Sequence, residues 1–101
     1  MHARVITFEV EGRLALDDAQ DALERLVVPE MRRLPGYDGA YILREGHTHG
    51  LIVMLWETED ALQSAEATPG LAEQMNRLRS HLGRYAASTV NEVGYADHPL
   101  G

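Results

Sequence analysis

The chain has 101 residues, 45% of them apolar and 25% charged, the scale of one compact domain with no room for a second. With 16 acidic and 9 basic side chains the formal net charge is −7 and the pI about 5.1, which argues against phosphate-backbone partners and anionic membrane surfaces. No cysteine is present and every basic residue is arginine, so disulfides, thiolate metal centres, iron–sulfur clusters, cysteine nucleophiles and lysine Schiff bases are excluded.

Val5 to Val10 is rich in β-branched and aromatic residues and reads as a first strand, broken by Glu11-Gly12-Arg13. Asp17 and Asp18 are expected to open a helix whose apolar stripe is Ala19, Ala22, Leu23, Leu26 and Val27. Pro29, lacking an N–H, is expected to kink or interrupt it; the stripe resumes at Met31 and Leu34 and stops at Pro35-Gly36. A second strand over Ala40–Arg44, a loop from Glu45 to Gly50 and a third strand over Leu51–Trp56 form a hairpin. Thr58 is the expected N-cap of a short helix carrying Ala61, Leu62 and Ala65. Thr68-Pro69 is the expected start of another, with Leu71, Met75, Leu78 and Leu82 on one side and Gly83 as its stop. Ser88 to Tyr95 reads as the last strand, followed by a polar tail ending in Pro99. No apolar run approaches the ~20 residues that span a bilayer, and the first residues lead straight into a strand pattern, so a cytoplasmic location is expected.

The order β-α-β-β-α-β, with the second helix in two pieces, is that of a ferredoxin-like α+β domain: a four-stranded antiparallel sheet with its helices on one face. The third strand is apolar at every position, whereas a strand with one wet face alternates. Both sheet faces therefore need cover, and the helices supply it on one only. A second copy of the chain on the other face, making a homodimer, is the expected solution; cover by the chain's own termini is the alternative.

Pro35-Gly36-Tyr37-Asp38-Gly39-Ala40 resembles the P-G-[FY]-x-G turn of antibiotic-biosynthesis monooxygenase-like proteins, and Trp56-Glu57-Thr58-Glu59-Asp60-Ala61 resembles their W-[ED]-[ST]-x-[ED]-A segment. The resemblance implies a dimeric α/β barrel with a pocket between each sheet and its own helices. It further implies oxygenation of an aromatic, quinonoid small molecule without flavin, metal or other cofactor. There the substrate anion passes an electron to oxygen, while the protein supplies an apolar cavity, a proton acceptor and shielding from water. The same scaffold also hosts non-catalytic ligand-binding or accessory dimers, and isomerases or cyclases. The haem-degrading branch pairs the tryptophan with a first-strand Asn and a following His; here Thr7 stands on the first strand and Glu57–Thr68 contains no histidine.

Trp56 matches the family's pocket-edge tryptophan, where an indole stacks on a flat substrate and donates one hydrogen bond; the plain reading is a core indole at the helix–sheet seam. Phe8 is the second expected wall, with Thr7 beside it. The candidate hydrogen-bonding or proton-accepting groups are His81, Tyr41 and Asn91. Tyr85 shares a helix face with His81 if the helix persists, and Arg44 is placed to steady a phenolate unless an acid pairs it. Asn91 and Glu92 are strand neighbours, so only one can look into a given cavity. His47 and His49 form an H-x-H pair in a Gly-flanked loop with Glu45 as the one nearby third ligand, and they are expected to be solvated. The expected partners are a second copy and a small aromatic molecule, with no nucleic acid, membrane or metal.

Overall fold

The computed structural model describes residues 1–97, so Pro99 lies outside the described residues. Strands β1 (His2–Glu9), β2 (Tyr37–Glu45), β3 (His49–Trp56) and β4 (Ala87–Glu92) form one antiparallel sheet in the order β2-β3-β1-β4. Between them run α1 (Arg13–Ala22), a π-helical turn (Leu23–Val27), α2 (Val28–Met31), α3 (Glu59–Glu66) and α4 (Pro69–Arg79). The fold is ferredoxin-like α+β, as the element order implies.

Register sorts the side chains. Ile6 pairs with Ile52, Arg4 with Met54 and His2 with Trp56 across β1 and β3, so these share a face. Arg4 bonds Glu66 of α3, and Arg44, on that face of β2, bonds Asp17 of α1, so this face carries the helices. Ile52, Met54 and Trp56 are each at most 1% exposed there, packed with Leu16, Val27, Met31, Leu62, Leu71 and Leu78. The alternate residues Leu51, Val53 and Leu55 lie on the outer face and stay half-buried, beside Val5. Tyr41 and Leu43 share that face and are 56% and 55% exposed.

Several boundaries differ from the sequence reading. The first helix starts at Arg13, four residues before Asp17, because no side chain caps it and Leu16 N–H already bonds the Gly12 carbonyl. Pro29 does not break the chain's helical course. Its ring displaces the carbonyl four residues back, at Arg25, and the wider π turn over Leu23–Val27 takes up that displacement just before it. Thr58 caps α3 as expected, accepting from Ala61 N–H at 3.0 Å. Thr68 makes no cap: its hydroxyl donates back to the Ala65 carbonyl at 2.7 Å, closing α3 instead. Leu82 is fully buried just past α4, and Gly83 (φ +75°) ends that run. The last strand stops at Glu92 rather than Tyr95.

The Pro35–Gly39 turn has a physical reason. Gly36 adopts φ +83°, and a Cβ there would stand 2.6 Å from Ala61 Cβ on α3, while its carbonyl accepts from Glu57 N–H at 2.8 Å. Asp38 then bulges out of the ladder: Tyr37 pairs with Trp56 but Gly39 with Leu55. That one extra residue turns Tyr37 onto the helix face. Gly36→Ala should therefore destabilise the domain by more than about 1 kcal/mol, seen in thermal unfolding as a Tm at least about 4 °C lower.

Candidate functional site

The expected site residues fall into three places. Trp56 is 1% exposed on the helix face, its ring meeting Tyr37 edge-on at 5.6 Å and 65°. Its Nε1 is buried with no hydrogen-bond partner. The cross-strand neighbour on the same face is His2, whose Nδ1 is likewise buried and unpartnered while its Nε2 lies 3.3 Å from Glu59 Oε2. A second ion pair follows one turn of strand later: Arg4 donates to both Glu66 carboxylate oxygens, from Nε at 2.8 Å and Nη2 at 2.6 Å. Arg4 also donates to Ser88 Oγ at 3.0 Å. The bonds to Glu66 hold the guanidinium pKa above its usual value, against burial. Glu59 and Glu66 thus fasten both ends of α3 to β1.

The second place is an open cleft of about 630 Å³ at the other end of β1. His81 and Tyr85 line it with Glu9, Asp18, Thr48 and Arg84, over an apolar floor that includes Val10 and Ala15. Helix α4 ends at Arg79, so His81 and Tyr85 do not share a helix face; the loop to β4 brings them together instead. The cleft does not include Trp56. From His2, beside Trp56, to Glu9 at the cleft is seven strand steps, or about 23 Å. Trp56 and His81 therefore cannot act on one small ring.

The third place is the outer sheet face. Thr7, Tyr41 and Asn91 pair with Leu51, Val53 and Ala3 respectively, so strand alternation turns all three away from the helices. None of them enters a pocket between sheet and helices. Asn91 Oδ1 accepts from Thr89 Oγ1 at 2.7 Å. Arg44 faces the helices, where it donates to Asp17 (2.7 Å) and Gln20 (2.9 Å). Phe8 is 3% exposed on the helix face, its ring filling the space over Gly50. His49 lies on β3 and pairs with Glu9 at 3.4 Å, while His47 sits in the turn. Among the described residues no three acidic or imidazole groups converge as metal ligands, and no helix is long and apolar enough to cross a membrane.

His2, Glu59 and Tyr37 meet at the Trp56 end of the sheet although residue type and spacing make none of them a candidate. Their signal was parity: His2 shares the face of Arg4, Ile6 and Phe8, but its partner across the ladder is a matter of register, and Tyr37 reaches the face only through the bulge. Burial raises the Tyr37 phenol pKa above its ordinary value, opposed by the positive charge of Arg32. The folded state thus favours the neutral phenol. This contribution to stability is intact below about pH 10 and is lost as pH rises from there through the folded-state pKa. Ultraviolet titration should show a phenol ionising above about pH 10 that disappears in Tyr37→Phe.

The family model described as "Antibiotic biosynthesis monooxygenase" matches residues 1–77. Among solved structures, the chain is similar to the monooxygenase from the gene ActVA-Orf6 of Streptomyces coelicolor in complex with the ligand nanaomycin D. The two are 23% identical over 98% of this chain and 92% of that one, with a TM-score of 0.82. A mutant of SnoaB, a cofactor-independent oxygenase from Streptomyces nogalater, is 23% identical over 94% of each chain with a TM-score of 0.78. Rv0793 from Mycobacterium tuberculosis is 16% identical over 98% of each chain with a TM-score of 0.69. Among curated proteins none matches the sequence.

Proposed function

The chain belongs to the antibiotic biosynthesis monooxygenase family, and from that membership we propose that it is a cofactor-independent monooxygenase acting on a small aromatic or quinonoid molecule. The observation that carries the reading is the Trp56 indole, a buried donor with no acceptor. Leaving such a group unpaired costs roughly 1–3 kcal/mol, a penalty that a ligand oxygen accepting from Nε1 removes. An oxygen of the substrate accepts from Nε1, and Tyr37 walls the ring edge. In this reading the substrate, as its anion, gives an electron to dioxygen, and the protein's share is to hold the ring dry and take its proton. Hollows of about 280 Å³ and 210 Å³ lie against α3, the first by Pro35, Ala61 and Thr68 and the second by Glu66, Met75 and Arg79; Trp56 lines neither. That a structural neighbour holds nanaomycin D supports a small-molecule site on this fold.

A homodimer belongs to the same proposal. Tyr41, Leu43, Val53, Leu51 and Leu55 form one apolar stretch on the outer face, and a second sheet laid on it removes the stretch from water. A non-catalytic ligand-binding dimer is the second reading. The 630 Å³ cleft beside His81 and Tyr85 favours it, being within the usual few-hundred-Å³ range of small-molecule sites yet remote from Trp56.

Oxygen uptake over a panel of anthrones and dihydroquinones should exceed that of boiled protein, and Trp56→Phe should lower it roughly tenfold, the value of one hydrogen bond. Bound ligand without turnover, with affinity unchanged in Trp56→Phe, would establish the second reading instead. Light scattering after size exclusion should give about twice the 11.2 kDa chain mass; a monomer at micromolar concentration overturns the two-sheet pairing.

A further inference from the structure

Two polar atoms on one face of the sheet are buried without partners, and they belong to residues directly opposite each other on β1 and β3: His2 Nδ1 and Trp56 Nε1. Cβ atoms so paired stand about 4.5–5.5 Å apart. The two atoms differ in what they ask for. The indole N–H can only donate. The imidazole faces Glu59 with its Nε2, 3.3 Å from Oε2, and the negative charge there favours the tautomer with its proton on Nε2. Nδ1 is then a lone pair. A donor and an acceptor left over on neighbouring strands are both satisfied by one group that accepts and donates through a single oxygen: a hydroxyl.

We propose that His2 is the proton acceptor of this site, its Nδ1 receiving the hydroxyl proton of a phenolic substrate whose oxygen accepts from Trp56 Nε1–H. This rests on the aromatic-oxygenase reading given above and names the group that prepares the substrate for it. In the step, the phenol O–H bond breaks, an Nδ1–H bond forms, and the substrate becomes a phenolate held by the indole. The positive imidazolium is balanced by the Glu59 carboxylate. Dioxygen is the oxidant of the following electron transfer and takes no part in this one. Glu59 touches His2 and not the substrate, so it is a positioning residue.

The roof over the pair is α3, tied to β1 by Glu59 at one end and by Glu66 on Arg4 at the other. The side chain of His2 is 21% exposed although its Nδ1 is covered. The site therefore lies just beneath the surface rather than at the centre of the core. On the open flank, the helix-side residues Ser88, Val90 and Glu92 of β4 are all exposed, the latter two paired with Arg4 and His2.

The test uses the full chain and β-naphthol as the phenolic probe. Trp56 is the only tryptophan in the chain, so its indole gives one cross-peak in a proton–nitrogen correlation spectrum. In the free protein, the nitrogen shifts of the His2 imidazole should place its proton on Nε2; a proton on Nδ1 overturns the proposal without any variant. On adding β-naphthol the indole peak should move. His2→Phe should weaken binding at least about tenfold, the scale of one or two hydrogen bonds, with the indole peak still present in its folded position. Glu59→Gln should release the tautomer while keeping the fold. If β-naphthol shifts His81 and Tyr85 and leaves the indole still, the proposal fails, and oxygen uptake by that same protein would leave the oxygenase reading standing. Binding at the indole, lost in His2→Phe but without oxygen uptake from any phenol, keeps this site and removes the oxygenase. An indole unmoved by saturating β-naphthol or by any anthrone that is turned over means the pair holds water alone.

Discussion

An indole taken wholly out of water without a hydrogen-bond partner organises one end of this molecule. Trp56 ends β3 on the helix face at 1% exposure, and the elements around it are positioned by what it needs on each side. Tyr37 supplies an aromatic edge, which it can do only because Asp38 is squeezed out of the β2 ladder. The turn that delivers Tyr37 runs through Gly36, whose missing Cβ lets the chain lie against Ala61 of α3. The two sequence segments that resemble the family are thus one physical object. The first is the turn that docks on α3, and the second is the strand end and helix on which it docks.

Charge works here in the service of placement. The acidic excess of the chain lies largely on solvated surfaces, but Glu59 and Glu66, seven residues apart on α3, meet His2 and Arg4, two residues apart on β1. Seven residues are close to two helical turns and two residues are one strand period, so one face of each element carries both pairs. A part-buried pair such as Arg4–Glu66 adds less to stability than its short distances suggest, because both ions give up hydration. What it adds is register: α3 can settle over β1 in one position only. The corresponding tie for α1 is Arg44 with Asp17 and Gln20.

The sheet divides the candidate chemistry in a way a list of residues conceals. Tyr41, Thr7 and Asn91 share the outer face with the apolar stretch of β3, whereas His81 and Tyr85 meet at a cleft at the far end of β1. Trp56 stands apart from both groups. Polar residues of the right chemistry are therefore present in quantity, but strand register and the β2 bulge bring His2 and Tyr37 to the indole instead. The acidic composition fits this picture, since nothing in it requires a polyanionic partner.

Much of the architecture was legible in the residues themselves. Alternation in β1, the continuous apolar run of β3, the four-three-four spacing of Leu71, Met75, Leu78 and Leu82, and the glycine stops all follow from local periodicity, which a single chain displays without reference to any other part of it. The two-faced demand of β3 was legible for the same reason. The site was not. Which residue stands opposite Trp56 depends on strand register, and which way Tyr37 points depends on a one-residue bulge; both are settled by how β1, β2 and β3 align along their whole length. A helix boundary at Arg13 rather than Asp17, and a Thr68 hydroxyl turned back on α3, likewise reflect neighbours in space. Sequence alone determined the elements and their order, because those rest on periods of two and 3.6 residues, and it pointed to the family through the resemblance of two motif segments. Only the tertiary structure decided that an N-terminal histidine, and none of the residues singled out for proton transfer, comes to lie beside the buried indole.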